Sequence, residues 1–230
     1  GYFITRQVFR HEGQTEADLD TLLWFVVISA IVGARLGHVF FYNWTYYSQH
    51  LAEIPMVWKG GLASHGGGIG LFIALWLYSR LVIHKPFLWI TDRLAMSVPL
   101  AGAFIRLGNL MNHEIVGAPT DVPWAFVFTL YENQPIPRHP AQLYEAAAYL
   151  LGFACLFFVC WKTKATQKPG LLTGLVLVLI FVARFLIEFV KEVQEPWEQG
   201  LTLNMGQMLS LPMIAVGLLL IGSAWLRKKS

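Results

Sequence analysis

Arg106-Leu107-Gly108-Asn109-Leu110-Met111-Asn112-His113-Glu114-Ile115-Val116-Gly117 closes an apolar run that begins at Trp89. Within it the chain passes from hydrocarbon side chains to a guanidinium, two carboxamides, an imidazole and a carboxylate. An ionisable group inside a membrane span costs about 2.5–3.5 kcal/mol even on lenient insertion scales, so it marks a functional site with a partner to be found. Arg106 comes before the polar groups, which puts its charge inside the span and not at the rim. Two readings follow. Arg106 and Glu114 form a structural ion pair between helices, or the stretch receives a charged ligand.

Outward from this stretch the chain is apolar nearly throughout. Its 230 residues are 56% hydrophobic and 13% charged, whereas a soluble domain carries about a quarter charged residues. Runs near the ~20 residues needed to cross a bilayer recur at Leu22–Tyr42, Leu62–Ile83, Trp89–Met111, Ala141–Trp161, Gly170–Val190 and Met205–Leu226. The expectation is an all-α polytopic transmembrane bundle of about six full spans, forming one integral-membrane domain over 1–230. Gly1 to Thr5, followed by Arg6 and Arg10, reads as the tail of a first helix whose beginning is missing. The segment 112–140 is too polar and proline-punctuated to span, and is expected to form a small outer-face cap.

Basic residues orient the map. Arg6, Arg10, Arg80, Lys85, Arg93, Lys162, Lys164, Lys168, Arg227, Lys228 and Lys229 fall on one side, against Lys59, Arg138 and Lys191 on the other. The first set belongs in the cytoplasm by the positive-inside bias. His65, the Arg106–Glu114 stretch and Arg184 then lie toward the outer leaflet. Arg184, Glu188 and Lys191 are spaced i, i+4 and i+7 and are expected to share one face of the helix. Arg35, between Gly33 and Gly37 in mid-span, either snorkels or pairs within the bundle, or adds a second guanidinium to the polar region.

Two arginines at one depth, backed by asparagines, suit a phosphate, because guanidinium forks match its oxygens in a bidentate way. The residues alone therefore indicate an anionic lipid site in a helical membrane protein. No P-loop, HExxH or carboxylate cluster occurs, so no metal, nucleotide or other cofactor is expected, and nucleic acid is an unsuitable partner. His65-Gly66-Gly67-Gly68 echoes a lipase oxyanion loop but lacks the nucleophile elbow that would accompany it. Its glycines let a helix start approach another backbone or a lipid headgroup. Cys155 and Cys160, in one apolar helix, read as lipid-facing or packing residues.

The pattern Arg106-x-Gly108-Asn109-x-x-Asn112-x-Glu114-x-x-Gly117 resembles the signature of the prolipoprotein diacylglyceryl transferase family. Four further segments match in the same order: His65 to Gly70, His139-Pro140-Ala141-Gln142-Leu143-Tyr144-Glu145, Arg184 to Phe189, and Gly206 to Met213. The resemblance implies a bacterial inner-membrane enzyme, active toward its periplasmic side, that carries out the first step of lipoprotein maturation. Phosphatidylglycerol donates its diacylglyceryl group to the lipobox cysteine of a prolipoprotein signal peptide, and glycerol phosphate is released. It also implies catalytic roles for His65, Arg106, Glu114 and Arg184, and contacts to the lipid from Arg106, Asn109, Asn112, Gly117, Arg184 and Glu188. His65 is a candidate base or orienter, Asn109 and Glu114 orient Arg106, and His139 and Glu145 are assigned to structure.

Three positions depart from the family pattern. Ile105 and His113 stand where glycines are usual, and Lys191 stands where an arginine is common. The motif of the family's first helix has no counterpart. The competing class is an anionic-solute transporter or channel, for which internal repeats and interrupted helices in matching halves would speak. No second copy of either arginine motif is present.

Overall fold

The computed structural model describes residues 1–192 and 202–226, and is built almost wholly of helices. In order these are α1 (Tyr2–His11), α2 (Glu16–Gly37), α3 (Trp44–Tyr47), α4 (Ser64–Leu81), α5 (Phe87–Leu94), α6 (Ser97–Met111), α7 (Ala141–Lys162), α8 (Leu171–Ile187) and α9 (Met205–Leu226). Four continuous segments are long and apolar enough to cross a membrane: Glu16–Tyr42, Ala141–Lys162, Leu171–Val190 and Met205–Leu226. A fifth is added if the bent pair α5 and α6 counts as one span. Two of the six expected spans are thereby revised. The helix expected at Leu62–Ile83 is α4, which is not in this set. The run expected as one helix from Trp89 to Met111 is bent by 45° between Leu94 and Ser97. Pro99 accounts for the bend, since it has no N–H for the Ala95 carbonyl and its ring crowds that group.

Contacts divide the chain into two compact units, Tyr2–Thr91 and Asp92–Ser230 with Gly1. In the first, α2 and α4 pack along one seam. Gly33 and Gly37 of α2 lie against Gly66 and Gly70 of α4 so closely that a methyl group on any of the four would overlap backbone atoms opposite. Of the two uses expected for the glycines around His65, Gly66 serves backbone approach. Gly68 faces open space. α2 starts six residues before the expected Leu22, because Thr15 and Asp18 form a reciprocal cap that satisfies its free N–H groups.

Arg35 neither snorkels nor pairs with a carboxylate. It is 2% exposed, and its guanidinium donates to the carbonyls of Glu53 (2.7 Å), Ile54 (2.7 Å), Gly60 (2.6 Å) and Gly61 (3.3 Å). Tyr47 lies under the cation, 4.9 Å from ring centroid to Cζ. One side chain thus supplies the donors that an irregular loop needs when its carbonyls turn inward.

In the second unit α6 packs on α7, α7 on α8 and α8 on α9. The buried Asp92 carboxylate accepts from the Gly170 N–H (2.7 Å), the Thr173 N–H (2.8 Å) and the Thr173 hydroxyl (2.6 Å). A residue of α5 therefore caps the N-terminus of α8, where the unpaired N–H groups and the helix dipole both favour an anion. The segment 112–140, expected as a cap, connects α6 to α7. It holds a two-stranded antiparallel hairpin, β1 (Phe126–Val127) with β2 (Pro137–Arg138), and Val116 and Phe128 pack with Leu110 and Leu143. Arg138, buried, forks onto Glu132 (3.0 and 2.8 Å) and reaches Glu192 (2.7 Å) and the Gly117 carbonyl (3.2 Å).

Two tests follow. Arg35→Met should loosen the loop at 53–61, because each carbonyl left buried without a donor costs about 1–3 kcal/mol. Hydrogen exchange of that loop should accelerate, and unchanged protection would refute the clamp. In the cap, the Arg138 guanidinium holds the Glu132 carboxyl below its ordinary value. A depressed carboxyl contributes stability that is complete above its unfolded pKa, about 4.3, and is lost as pH falls through the lower folded value. Cap opening, followed by Trp124 fluorescence in a variant in which the other tryptophans are replaced by phenylalanine, should therefore begin only below about pH 4.3, and Glu132→Gln should remove that dependence.

Candidate active site

The apolar helices of the second unit carry polar residues at one end. On α7 these are Gln142, Glu145 and Tyr149, spaced i, i+3 and i+7 and therefore on one face, all buried. Gly102 of α6, four residues before Arg106, leaves room for the Tyr149 ring, which would stand 3.1 Å from any Cβ there. This close packing brings Arg106 to Glu145. Arg106 Nε lies 2.9 Å from Glu145 Oε2, with the carboxylate fully buried and the arginine side chain 14% exposed. The N–H is not directed at that oxygen, which has no hydrogen-bond donor of its own. The contact is one of charge and proximity. The Tyr149 hydroxyl donates to Glu145 Oε1 at 3.4 Å, meets the Arg106 guanidinium and feels the charge of Arg184.

Arg106 also donates to Asn109 Oδ1 (3.2 Å), and Asn109 Nδ2 donates to Glu114 Oε2 (2.9 Å). The asparagine is thus a relay, with its amide orientation set at both ends. Glu114 is held in place by its backbone, since Gln142 Nε2 donates to its carbonyl at 2.6 Å. On either side of it, His113 (φ 57°) and Ile115 (φ 56°) adopt the left-handed conformation. That is unusual for histidine and costly for a β-branched residue. His113 is secured there by the Leu130 N–H, which donates to its Nδ1 at 3.0 Å.

Arg184 stands one turn before the end of α8, and its Nε is buried without a hydrogen-bond partner. The expected face of Arg184, Glu188 and Lys191 does not form, because the α-helix ends at Ile187 and a 3₁₀ turn follows over Glu188–Val190. Lys191 instead reaches Glu188 (3.0 Å) as a buried pair and bridges to Gly117 through its backbone. The Glu188 carboxylate lies against Gly206 so closely that a Cβ there would have to displace it. Gly117 itself is buried, its N–H donating to the His139 carbonyl at 3.0 Å. Asn112 is the exposed C-cap of α6. His65 belongs to the other unit, exposed in the first turn of α4.

The structure therefore links Arg106 to Glu145 and, through Asn109, to Glu114, leaves Arg184 one turn from the end of α8, and sets Glu188 with Lys191 beside Gly206. Glu145, assigned to structure together with His139, is the carboxylate that Arg106 meets. Gln142, Tyr149 and Gln207 went unassigned in the sequence. The polar i, i+3, i+7 spacing on an apolar α7 was the signal for the first two.

Comparison with known proteins decides the family. The family model described as prolipoprotein diacylglyceryl transferase matches residues 1–223. The chain belongs to the prolipoprotein diacylglyceryl transferase family. It is similar to the phosphatidylglycerol–prolipoprotein diacylglyceryl transferases of Chloroherpeton thalassium (45% identical, covering 96% of this chain and 82% of the relative) and Tolumonas auensis (46%, 96% and 84%). That of Porphyromonas gingivalis is 46% identical over 96% of this chain and 82% of its own length.

In this diacylglyceryl transferase family member, the Arg106–Glu145 pair should be structural as well as functional. Glu145→Leu leaves a buried guanidinium without its counter-charge, at a cost of about 3–5 kcal/mol. The Arg106→Leu, Glu145→Leu double variant should recover most of that stability in a detergent-unfolding titration. A double variant as unstable as Glu145→Leu alone would exclude the pairing.

Proposed function

We propose that the chain transfers the diacylglyceryl group of phosphatidylglycerol to the cysteine thiol of a prolipoprotein, with Arg106 and Arg184 holding the phosphate. The observation that carries the assignment of residues is the buried Arg184 Nε, which has no hydrogen-bond partner and acts on the same Tyr149 as Arg106. Burying a charged donor unpaired is costly, and a phosphate oxygen would supply the missing acceptor. The names of the relatives, phosphatidylglycerol–prolipoprotein diacylglyceryl transferase, support the reaction.

In that reaction the acceptor sulfur attacks the glyceryl carbon that bears the phosphate. The C–S bond forms as the C–O bond breaks, the thiol proton passes to a base, and glycerol phosphate leaves with the electron pair. The phosphodiester carries one negative charge and the departing monoester gains a second. Cations fixed at the phosphate therefore stabilise the transition state more than the bound lipid. Asn109 and Glu114 aim Arg106, while Glu145 keeps its charge tolerable within the helices. Asn112, Gly117 and Glu188 are assigned to shaping the lipid site, Gly117 and Glu188 through the backbone and the Lys191 pair around them. His65 is the imidazole assigned to thiol deprotonation or to orienting the substrate.

We place the protein in the bacterial inner membrane with this cluster toward the outer leaflet, and take the acceptor to be the lipobox cysteine of a signal peptide. Charge placement in the second unit supports the orientation. Arg93 donates to the Thr166 carbonyl (3.3 Å), so it shares one end of the unit with Lys162, Lys164 and Lys168, and α6 and α7 lead from that end to the arginine cluster.

The two arginines should respond differently to mutation. Arg184→Gln should lower transfer from phosphatidylglycerol to a lipobox peptide by about 100-fold or more, as loss of a transition-state contact does, with little change in unfolding midpoint. Arg106→Gln should lose both activity and stability. Arg184→Lys should stay poor, since an ammonium lacks the fork. Full activity in folded Arg184→Gln would remove Arg184 from the site.

A further inference from the structure

Among the described residues, four buried side-chain polar atoms have no hydrogen-bond partner: Gln142 Oε1, Glu145 Oε2, Arg184 Nε and Gln207 Nε2. Glu145 and Arg184 already have roles. The two carboxamides do not, although Gln142 is fully buried and Gln207 is 3% exposed. A buried polar atom left unpaired costs about 1–3 kcal/mol, so each of these asks for an occupant.

Neither amide is free to turn. The Glu114 carbonyl only accepts, so the Gln142 atom 2.6 Å from it is the NH₂, and Oε1 faces away. The Asn204 backbone N–H only donates, so the Gln207 atom 3.2 Å from it is Oε1, and Nε2 is the spare group. In return the Gln207 N–H donates to Asn204 Oδ1 at 2.9 Å, a reciprocal cap at the start of α9 that fixes the side chain. Flipping either amide would set like groups against each other. The two residues also lie at one end of the unit. α7 opens at Ala141, its neighbour α8 closes at Ile187, and α9, packed on α8, opens at Met205. Arg184 is one turn from that end.

We propose that Gln142 and Gln207 hold the free hydroxyls of the donor lipid's terminal glycerol, and so select phosphatidylglycerol over anionic phospholipids whose headgroups lack hydroxyls. The proposal rests on the transferase reading above. One amide presents only an acceptor and the other only donors. A carboxylate satisfies the second and is repelled by the first, and an ammonium does the reverse. A hydroxyl gives and receives a hydrogen bond and satisfies both. The amides are neutral, which matches the uncharged glycerol end of the headgroup, while the spare Arg184 N–H suits the phosphate beside it.

The test compares two donors in mixed micelles with a lipobox peptide and the full chain: phosphatidylglycerol, and phosphatidylpropanol, which keeps the phosphodiester charge and acyl chains without hydroxyls. Sites built to hydrogen-bond a substrate hydroxyl discriminate strongly against analogues lacking it, so wild-type kcat/KM should favour phosphatidylglycerol by about 100-fold or more. Gln142→Leu and Gln207→Leu should reduce that ratio at least tenfold, about 1.4 kcal/mol of discrimination. Gln207→Glu keeps an acceptor for the Asn204 N–H and replaces the spare donor by a carboxylate oxygen, whose charge acts on the phosphodiester of both donors alike, so the ratio reports on the lost donor even where the leucine variants fail to fold. A ratio unchanged in folded Gln207→Glu means that the amide holds a buried water, and overturns the proposal. Wild-type enzyme that uses both donors equally also overturns it, yet leaves the transferase reading intact. Failure to use phosphatidylglycerol at all would count against the transferase reading itself.

Discussion

A carboxylate with no exposure, Glu145 on an otherwise apolar helix, is the demand around which the second unit is arranged. Its charge is tolerable only beside a cation, and Arg106 supplies one across the α6–α7 contact. The arginine in turn is held by Asn109, the asparagine by Glu114, and Glu114 by Gln142, which returns to α7 one turn from Glu145. The result is a chain of contacts that leaves α7 at Glu145, runs through α6 and returns to α7 at Gln142. With Arg184 included, two guanidinium and two carboxylate charges balance before any ligand arrives.

Three arginines in apolar helices thus meet three different fates. Arg35 saturates the carbonyls of a loop, Arg106 is matched to a carboxylate, and Arg184 keeps an N–H to spare. All three answer the same rule, that polar groups away from water must be satisfied within the protein. Of the three, Arg184 is the one that keeps a buried N–H without a partner among the described residues. The difference is set by what the neighbouring chain presents, and by how closely it can approach. The glycines facing each other on α2 and α4, and Gly102 under Tyr149, set those approaches.

This explains how much could be read in advance. The helices follow from patterns local to the chain: apolar runs, their polar ends and the prolines between them. Pairing across helices does not. Glu114, eight residues from Arg106, was the nearest acid in sequence, and the structure makes it the far end of a relay while Glu145 takes the contact. The face expected of Arg184, Glu188 and Lys191 presumed a helix that continues, whereas it ends at Ile187 and Lys191 turns toward the cap. The break before α6 was written in Pro99, whose missing N–H outweighs an apolar run on both sides. For Gln207, burial is the informative property, and no spacing rule reports burial of an amide.

The cap that Asp92 places on α8 bears on how the chain is made. Synthesis runs from the N-terminus, so Asp92 enters the membrane well before Gly170 and Thr173 exist to donate to it. Until α8 emerges, the short helix bearing this carboxylate has no partner for its charge and little reason to stay at depth. Its final seating is therefore a late event, tied to the arrival of a helix encoded much further along the message.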